Sequence, residues 1–177
     1  MGEINKEYGG GLFALAVEEG IVQEILTEIR QLRPLLTPEY LHLLINPAVS
    51  KEKRVSLVGE LLDGRVHEYL SNFLKLMTER SLASEIHSCF EEFEELYYEK
   101  FEIIKVRAES AVMLTDEQKD KLSKKLEAHT GKKVEIEYVI DKTLLGGMRI
   151  LLGDRLFDDS VKLKLKEIEK ILSGTVV

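Results

Sequence analysis

An α+β chain of two domains is what this sequence predicts: an N-terminal six-helix bundle over 1–104, then a small α/β module with a mixed sheet over 105–177. Three observations lead there. Apolar residues recur at helical spacing through the first hundred positions and switch to a two-residue alternation near Glu102. Charge divides at the same place, with 10 Lys/Arg against 19 Asp/Glu in residues 1–104 and 15 against 13 in residues 105–177. Helix caps and breakers punctuate the first part at short intervals, as in a bundle of brief helices with short links.

The elements follow in order. Tyr8, Leu12, Leu15 and Ala16 begin a helical stripe, although each of Gly9, Gly10 and Gly11 costs about 1 kcal/mol against alanine in a helix interior. Ile21, Ile25, Leu26, Ile29 and Leu32 make a second stripe, curtailed by Pro34. Thr37 caps a third helix with Pro38 at its first position, and Asn46-Pro47 stops it because the residue before proline is pushed out of the helical region. Ser50 caps a fourth helix that Asp63-Gly64 ends. Val66, Tyr69, Leu70, Phe73, Leu74 and Met77 mark the fifth. The sixth begins near Leu82, with Ile86, Phe90, Phe93 and Tyr97 inward and Glu91, Glu92, Glu94 and Glu95 opposite.

Ile104, Val106, Ala108 and Ser110 then alternate with charged residues as a strand. Thr115 and Gln118 form a capping box for a helix with Leu122, Leu126 and His129 on one side and Gly131 at its end. Val134, Ile136, Tyr138 and Ile140 make a second strand, and Met148, Ile150 and Leu152 a third. Gly153-Asp154 suits a tight hairpin turn. Asp158, Asp159 or Ser160 caps a last helix with Val161, Leu165, Ile168 and Leu172 inward.

Composition excludes several classes of function. One cysteine, Cys89, permits no intrachain disulfide and fits a reducing compartment. No stretch approaches the roughly 18 apolar residues of a membrane span, and the N-terminus is no signal peptide, so a soluble protein without direct membrane insertion is expected. A strongly acidic first part repels phosphate backbones, which argues against nucleic acid as a partner. Gly131-Lys132 lacks the earlier glycine of a phosphate loop, since position 126 is leucine. His42, His67, His87 and His129 lie on separate elements, without metal-ligand spacing to Cys89. Asp154, Asp158 and Asp159 lack the spacing of a calcium loop and read as turn and cap residues. No nucleophile, base and orienting group stand together, so neither catalytic activity nor a cofactor or metal is expected. The Glu91–Glu95 cluster reads as a solvated helix side or an acidic docking face.

The order Asp141-x-x-Leu144-x-Gly146-Gly147, then Gly153-Asp154, then Asp158-x-Ser160-Val161 resembles the C-terminal signature of the delta subunit of F-type ATP synthase. The mitochondrial relative of that family is the oligomycin-sensitivity-conferring protein. Tyr8 with Leu12-Phe13 and Ala16, Leu44-x-Asn46-Pro47 followed by Lys51 or Lys53, Asn72-Phe73-Leu74 with Arg80, and Ala111, Leu114 and Thr115 extend the resemblance over nearly the whole chain. Three glycines after Tyr8, where alanine is common, and Asp159, where glycine is usual, depart from it.

The resemblance implies a non-catalytic stator at the top of the peripheral stalk of a proton- or sodium-driven ATP synthase, on the cytoplasmic face of the energy-transducing membrane. The bundle would take the N-terminal helix of an alpha subunit in a groove between its first and fifth helices. The C-terminal module would hold the ends of the b subunits. Tyr8, Leu12, Leu15, Phe73 and Met77 are the candidate groove residues, with core packing the competing role for each. A helical-bundle RNA-binding or transcription factor is the alternative.

Overall fold

The computed structural model describes residues 2–152 and 155–158, and the chain divides between Glu99 and Lys100 into two compact units. Seven α-helical segments stand in the first unit where the sequence predicts six helices, because a π-helical turn interrupts the first. That helix runs over 2–18 as α1 (Gly2–Ile4), the π turn Asn5–Gly9 and α2 (Gly10–Glu18), with helical backbone at both junctions. Next come α3 (Val22–Leu32), α4 (Pro38–Ile45), α5 (Lys51–Leu62), α6 (Glu68–Glu79) and α7 (Ile86–Lys100). Short 3₁₀ turns at Arg33–Leu35 and Ala83–Glu85 lead out of α3 and into α7.

Local chemistry sets the helix ends. The Thr37 hydroxyl accepts from the Tyr40 amide, and the Ser50 hydroxyl accepts from the Lys53 amide. His67 caps α6 through Nδ1, which accepts from the Tyr69 amide. At the other end of α4, buried Arg54 donates from Nη1 to the Leu44 carbonyl at 2.6 Å, satisfying an acceptor that the helix itself leaves open.

The core collects on α7, whose residues Ile86, Cys89, Phe90, Phe93, Glu94 and Tyr97 are buried at helical spacing. Phe93 meets the edge of Phe13 at a centroid distance of 5.2 Å, and Phe90 lies 6.1 Å from Phe73. Gly9 is the point of closest approach. A Cβ there would lie 2.5 Å from the Cys89 carbonyl oxygen and 3.1 Å from both the Cys89 Cα and the Glu92 Cβ. The helix-propensity cost of this glycine therefore purchases a close backbone contact.

Glu94 does not belong to the solvated side of α7. It follows Phe90 by four residues, which rotates it onto the core face, and it is 8% exposed. Its carboxylate accepts from Arg30 Nε at 3.2 Å and pairs with Arg33 Nη1 at 2.9 Å, tying α3 and its exit to α7. Glu91 and Glu95 are exposed as expected, and Glu92 is half-buried.

The second unit holds β1 (Ile104–Ser110), α8 (Asp116–Thr130), β2 (Val134–Ile140), β3 (Met148–Leu152) and β4 (Arg155–Asp158). The sheet order is β2-β1-β3-β4, with β1 parallel to β2 and antiparallel to β3, so the sheet is mixed. β4 pairs antiparallel with β3 and is a strand the sequence reading does not name. Val106 and Ala108 are fully buried, whereas Lys105 and Arg107, one residue out of step, are exposed on the other face. There Glu109 pairs with Arg107 at 3.1 Å and Arg149 at 3.0 Å.

The capping box of α8 is formed, and Gly131 ends the helix in the left-handed region. Leu122 and Leu126 are half-buried, but His129 is exposed rather than inward. In the 141–147 loop the Asp141 carboxylate accepts from the Thr143 amide and hydroxyl, and Leu144 is 4% exposed. Gly147, at φ +80°, then turns the chain into β3. The Gly153-Asp154 turn, Asp159 and the predicted helix with Val161, Leu165, Ile168 and Leu172 lie outside the described residues.

Two expected outcomes follow from the first unit. Gly9→Ala should lower stability by about 1–3 kcal/mol through overpacking against backbone. Gly11→Ala, whose Cβ meets nothing within 4 Å, should instead raise it by about 0.5–1 kcal/mol. Urea denaturation of both variants checks the pair, and a stable Gly9→Ala chain would contradict the close approach. Glu94→Ala should cost about 1–3 kcal/mol, below the full value for a buried pair because its arginine partners are about a third exposed. Glu95→Ala, at an exposed position, should stay within about 0.5 kcal/mol of the parent in the same assay.

Candidate partner-binding groove

Two helical stripes face each other on the first unit. Tyr8, Gly11, Leu12 and Leu15 fall at i, i+3, i+4 and i+7 along the first helix. Tyr69, Asn72, Phe73, Leu76 and Arg80 fall at i, i+3, i+4, i+7 and i+11 along α6 and its exit. With Glu7 they line an open cavity of about 450 Å³. At 1.5 Å per residue, the α6 stripe from Tyr69 to Arg80 spans roughly 16 Å, enough for about three turns of a docked helix.

Leu12 and Phe73, at 6% and 7% exposure, form the apolar floor, and Leu76 at 37% stands at the side. Tyr8, Leu15 and Tyr69 are half-buried. Gly11 leaves a gap, because a Cβ added there meets no heavy atom within 4 Å. The Tyr69 hydroxyl has its pKa raised, first by the neighbouring Glu19 carboxylate, then by burial, with Glu68 and Glu18 adding to it. The site therefore combines an apolar floor with a polar rim and carries no acid–base constellation. That composition suits the apolar face of an amphipathic helix.

Of the five residues singled out from the sequence, Tyr8, Leu12, Leu15 and Phe73 line this groove and Met77 does not. Met77 is 0% exposed. It lies one residue beyond the Leu76 stripe, and that 100° rotation places it with Leu70 and Leu74 in the core. Glu7, Gly11, Tyr69, Asn72, Leu76 and Arg80 were missed as groove residues. Extending from Phe73 by four residues back and three or seven forward finds Tyr69, Leu76 and Arg80.

The remaining polar candidates have structural partners or none of the needed neighbours. His67 caps α6, and His87 Nε2 lies 2.9 Å from the Leu36 carbonyl. His42 and His129 are exposed on separate helices. Burial first, and Glu85 next, push the Cys89 thiol up to about 11, so it is not a thiolate at neutral pH. Among the described residues no group of three or more His, Cys, Asp or Glu is placed to hold a metal ion. Among them, too, no helix is long and apolar enough to cross a membrane.

Comparison with known proteins gives a consistent result. The family model described as ATP synthase delta (OSCP) subunit matches residues 4–172. An "ATP synthase subunit delta" of Caldanaerobacter subterraneus subsp. tengcongensis is 32% identical over 174 residues, covering 98% of each chain. A protein of the same description from Fusobacterium nucleatum subsp. nucleatum is 31% identical over 170 residues, covering 95% of this chain and 97% of its own. Among solved structures, a chain of the Toxoplasma gondii mitochondrial ATP synthase hexamer shares the fold with a TM-score of 0.68 at 14% identity, over 95% of this chain and 96% of that one.

Proposed function

The chain belongs to the ATP synthase delta (OSCP) subunit family, and from that premise we propose that its groove seats the N-terminal helix of an alpha subunit. It is a non-catalytic peripheral-stalk subunit of an F-type ATP synthase. In the proposed arrangement residues 1–104 grip the catalytic head through that helix. Residues 105–177 hold the ends of the b subunits, on the cytoplasmic side of the energy-transducing membrane. The head is thereby kept from turning with the rotor.

The observation that carries this reading is the pair of facing stripes, Tyr8-Gly11-Leu12-Leu15 and Tyr69-Phe73-Leu76, around an unfilled apolar slot. A ligand helix meets such a slot with residues at i, i+3 or i+4, and i+7. Stator duty calls for a slow dissociation rate, which a few well-buried anchors provide. The apolar floor is set on helices whose opposite faces are core, so the slot is largely formed before a partner arrives.

Titrating the full chain with a synthetic alpha-subunit N-terminal peptide, followed by calorimetry, should give saturable one-to-one binding. Leu15→Ala and Leu76→Ala, at positions that are not fully buried, should each weaken it by about 5- to 30-fold. Gly11→Leu, which fills the gap without meeting a neighbour at its Cβ, should weaken binding by about tenfold or more while thermal unfolding stays near the parent's. Peptide binding unchanged by Gly11→Leu would place the alpha helix elsewhere, and no saturable binding would remove the reading altogether.

A further inference from the structure

Hydroxyls cap α4, α5 and α8, where Thr37, Ser50 and Thr115 accept from the amides of Tyr40, Lys53 and Gln118. A hydroxyl keeps its acceptor oxygen throughout the neutral pH range. The cap of α6 is of another kind. His67 Nδ1 accepts from the Tyr69 amide at 3.3 Å, which requires that this ring nitrogen carry no proton. The His67 carbonyl takes the next two amides, Leu70 at 3.0 Å and Ser71 at 3.1 Å, so one residue receives three successive amides of the first turn. The Tyr69 ring lies against the imidazole with centroids 5.1 Å apart, and Tyr69 also lines the groove.

An imidazole changes charge between about pH 5 and 8. Once protonated it has two N–H donors and no acceptor, so the Tyr69 amide loses its partner. Two neighbours then act on the charged ring. The positive end of the α6 dipole repels it. The Glu28 carboxylate of α3, which accepts from the His67 backbone amide at 2.9 and 3.0 Å, offers an acceptor at the same residue. The other charged groups at this corner are Glu18 and Glu19 at the end of the first helix, near Tyr69, and Arg65 and Glu68 close by in sequence. His67 is half-buried, so water reaches it. From this geometry we propose that His67 is a pH-sensitive latch on α6. Neutral, it fastens the first turn of the helix and the Tyr69 ring; protonated, it turns to Glu28 and releases both. The latch is closed above the imidazole range and opens as the pH falls through it. Release of Tyr69 loosens one wall of the groove, so a helix seated there is held less tightly in acid. That last step rests on the reading of the groove as the alpha-helix site, and the latch itself does not.

Hydrogen exchange followed by NMR on the full chain, isotope-labelled, tests the latch. Between about pH 7.5 and about pH 5.5 the protection factor of the Tyr69 amide should fall about fivefold, a typical worth for an N-cap. The fall should follow the titration of the His67 ring, while the Tyr40 and Lys53 amides under hydroxyl caps keep their protection. His67→Asn, which retains a capping oxygen that does not titrate, should keep Tyr69 protected at both pH values. His67→Ala should leave it at the parent's acid level at both. Asparagine leaves every neighbouring charge in place, so its contrast with the parent isolates the imidazole. Tyr69 protection that does not change with pH in the parent, or that changes equally in His67→Asn, overturns the proposal.

Calorimetry with the alpha-subunit N-terminal peptide reads the consequence for binding. The parent should bind about 3- to 5-fold more weakly at the lower pH, and His67→Asn should not show this loss. An equal pH response in the two chains overturns the link from latch to groove and leaves the exchange result to decide the latch. Peptide that binds neither chain overturns the groove reading and that link together.

Discussion

The first helix and α7 meet almost backbone to backbone at Gly9, and the groove side of the helical unit is arranged around that contact. With the Cys89 carbonyl only 2.5 Å from where a Cβ would stand, the first helix cannot carry a side chain at this position without moving outward. The close approach lets Phe13, one turn along, meet the edge of Phe93. The next face of the helix, with Tyr8, Gly11, Leu12 and Leu15, is then held toward α6 at a spacing that leaves a slot rather than a sealed core. The π turn Asn5–Gly9 sits at the same place, which changes the rotational phase of the residues before it relative to those after it.

Much of the fold was legible because it is written in local chemistry. Thr37, Ser50 and Thr115 are caps whose hydroxyls do what their positions imply, and the alternation from Ile104 onward marks a strand irrespective of what lies against it. The 141–147 loop rests on short-range devices of the same kind, which the structure identifies as the Asp141 turn, the buried Leu144 and the positive-φ Gly146 and Gly147.

What was not legible depends on rotation and distance between elements. Glu94 looks like its neighbours in a run of glutamates, and only the one-residue phase that places it beneath Phe90 makes it the acceptor for two arginines. Met77 and Leu76 differ by a single step around α6, yet one is core and the other lines the slot. A hydrophobic stripe read from sequence merges the two faces, since both are apolar. The three glycines are a further case. Propensity assigns each the same local cost, whereas tertiary packing gives Gly9 a necessary contact and leaves Gly11 facing open space.

These distinctions bear on how a protein without catalytic groups performs a mechanical task. In the proposed role the slot would bear load and must not deform when filled, so its walls need support from behind. Met77 and Leu74 on α6, and Phe13 and Ala16 on the first helix, provide that support as buried neighbours of the residues that face outward. The Glu94–Arg30–Arg33 cluster ties α3 and its exit to α7. In the proposed role, binding and folding would draw on adjacent side chains that meet at a common floor. Residues at the edge of the slot, such as Leu15 and Leu76, can change with a partner's sequence at little cost to stability, whereas the shared floor at Leu12 and Phe73 ties the geometry of the slot to the integrity of the core.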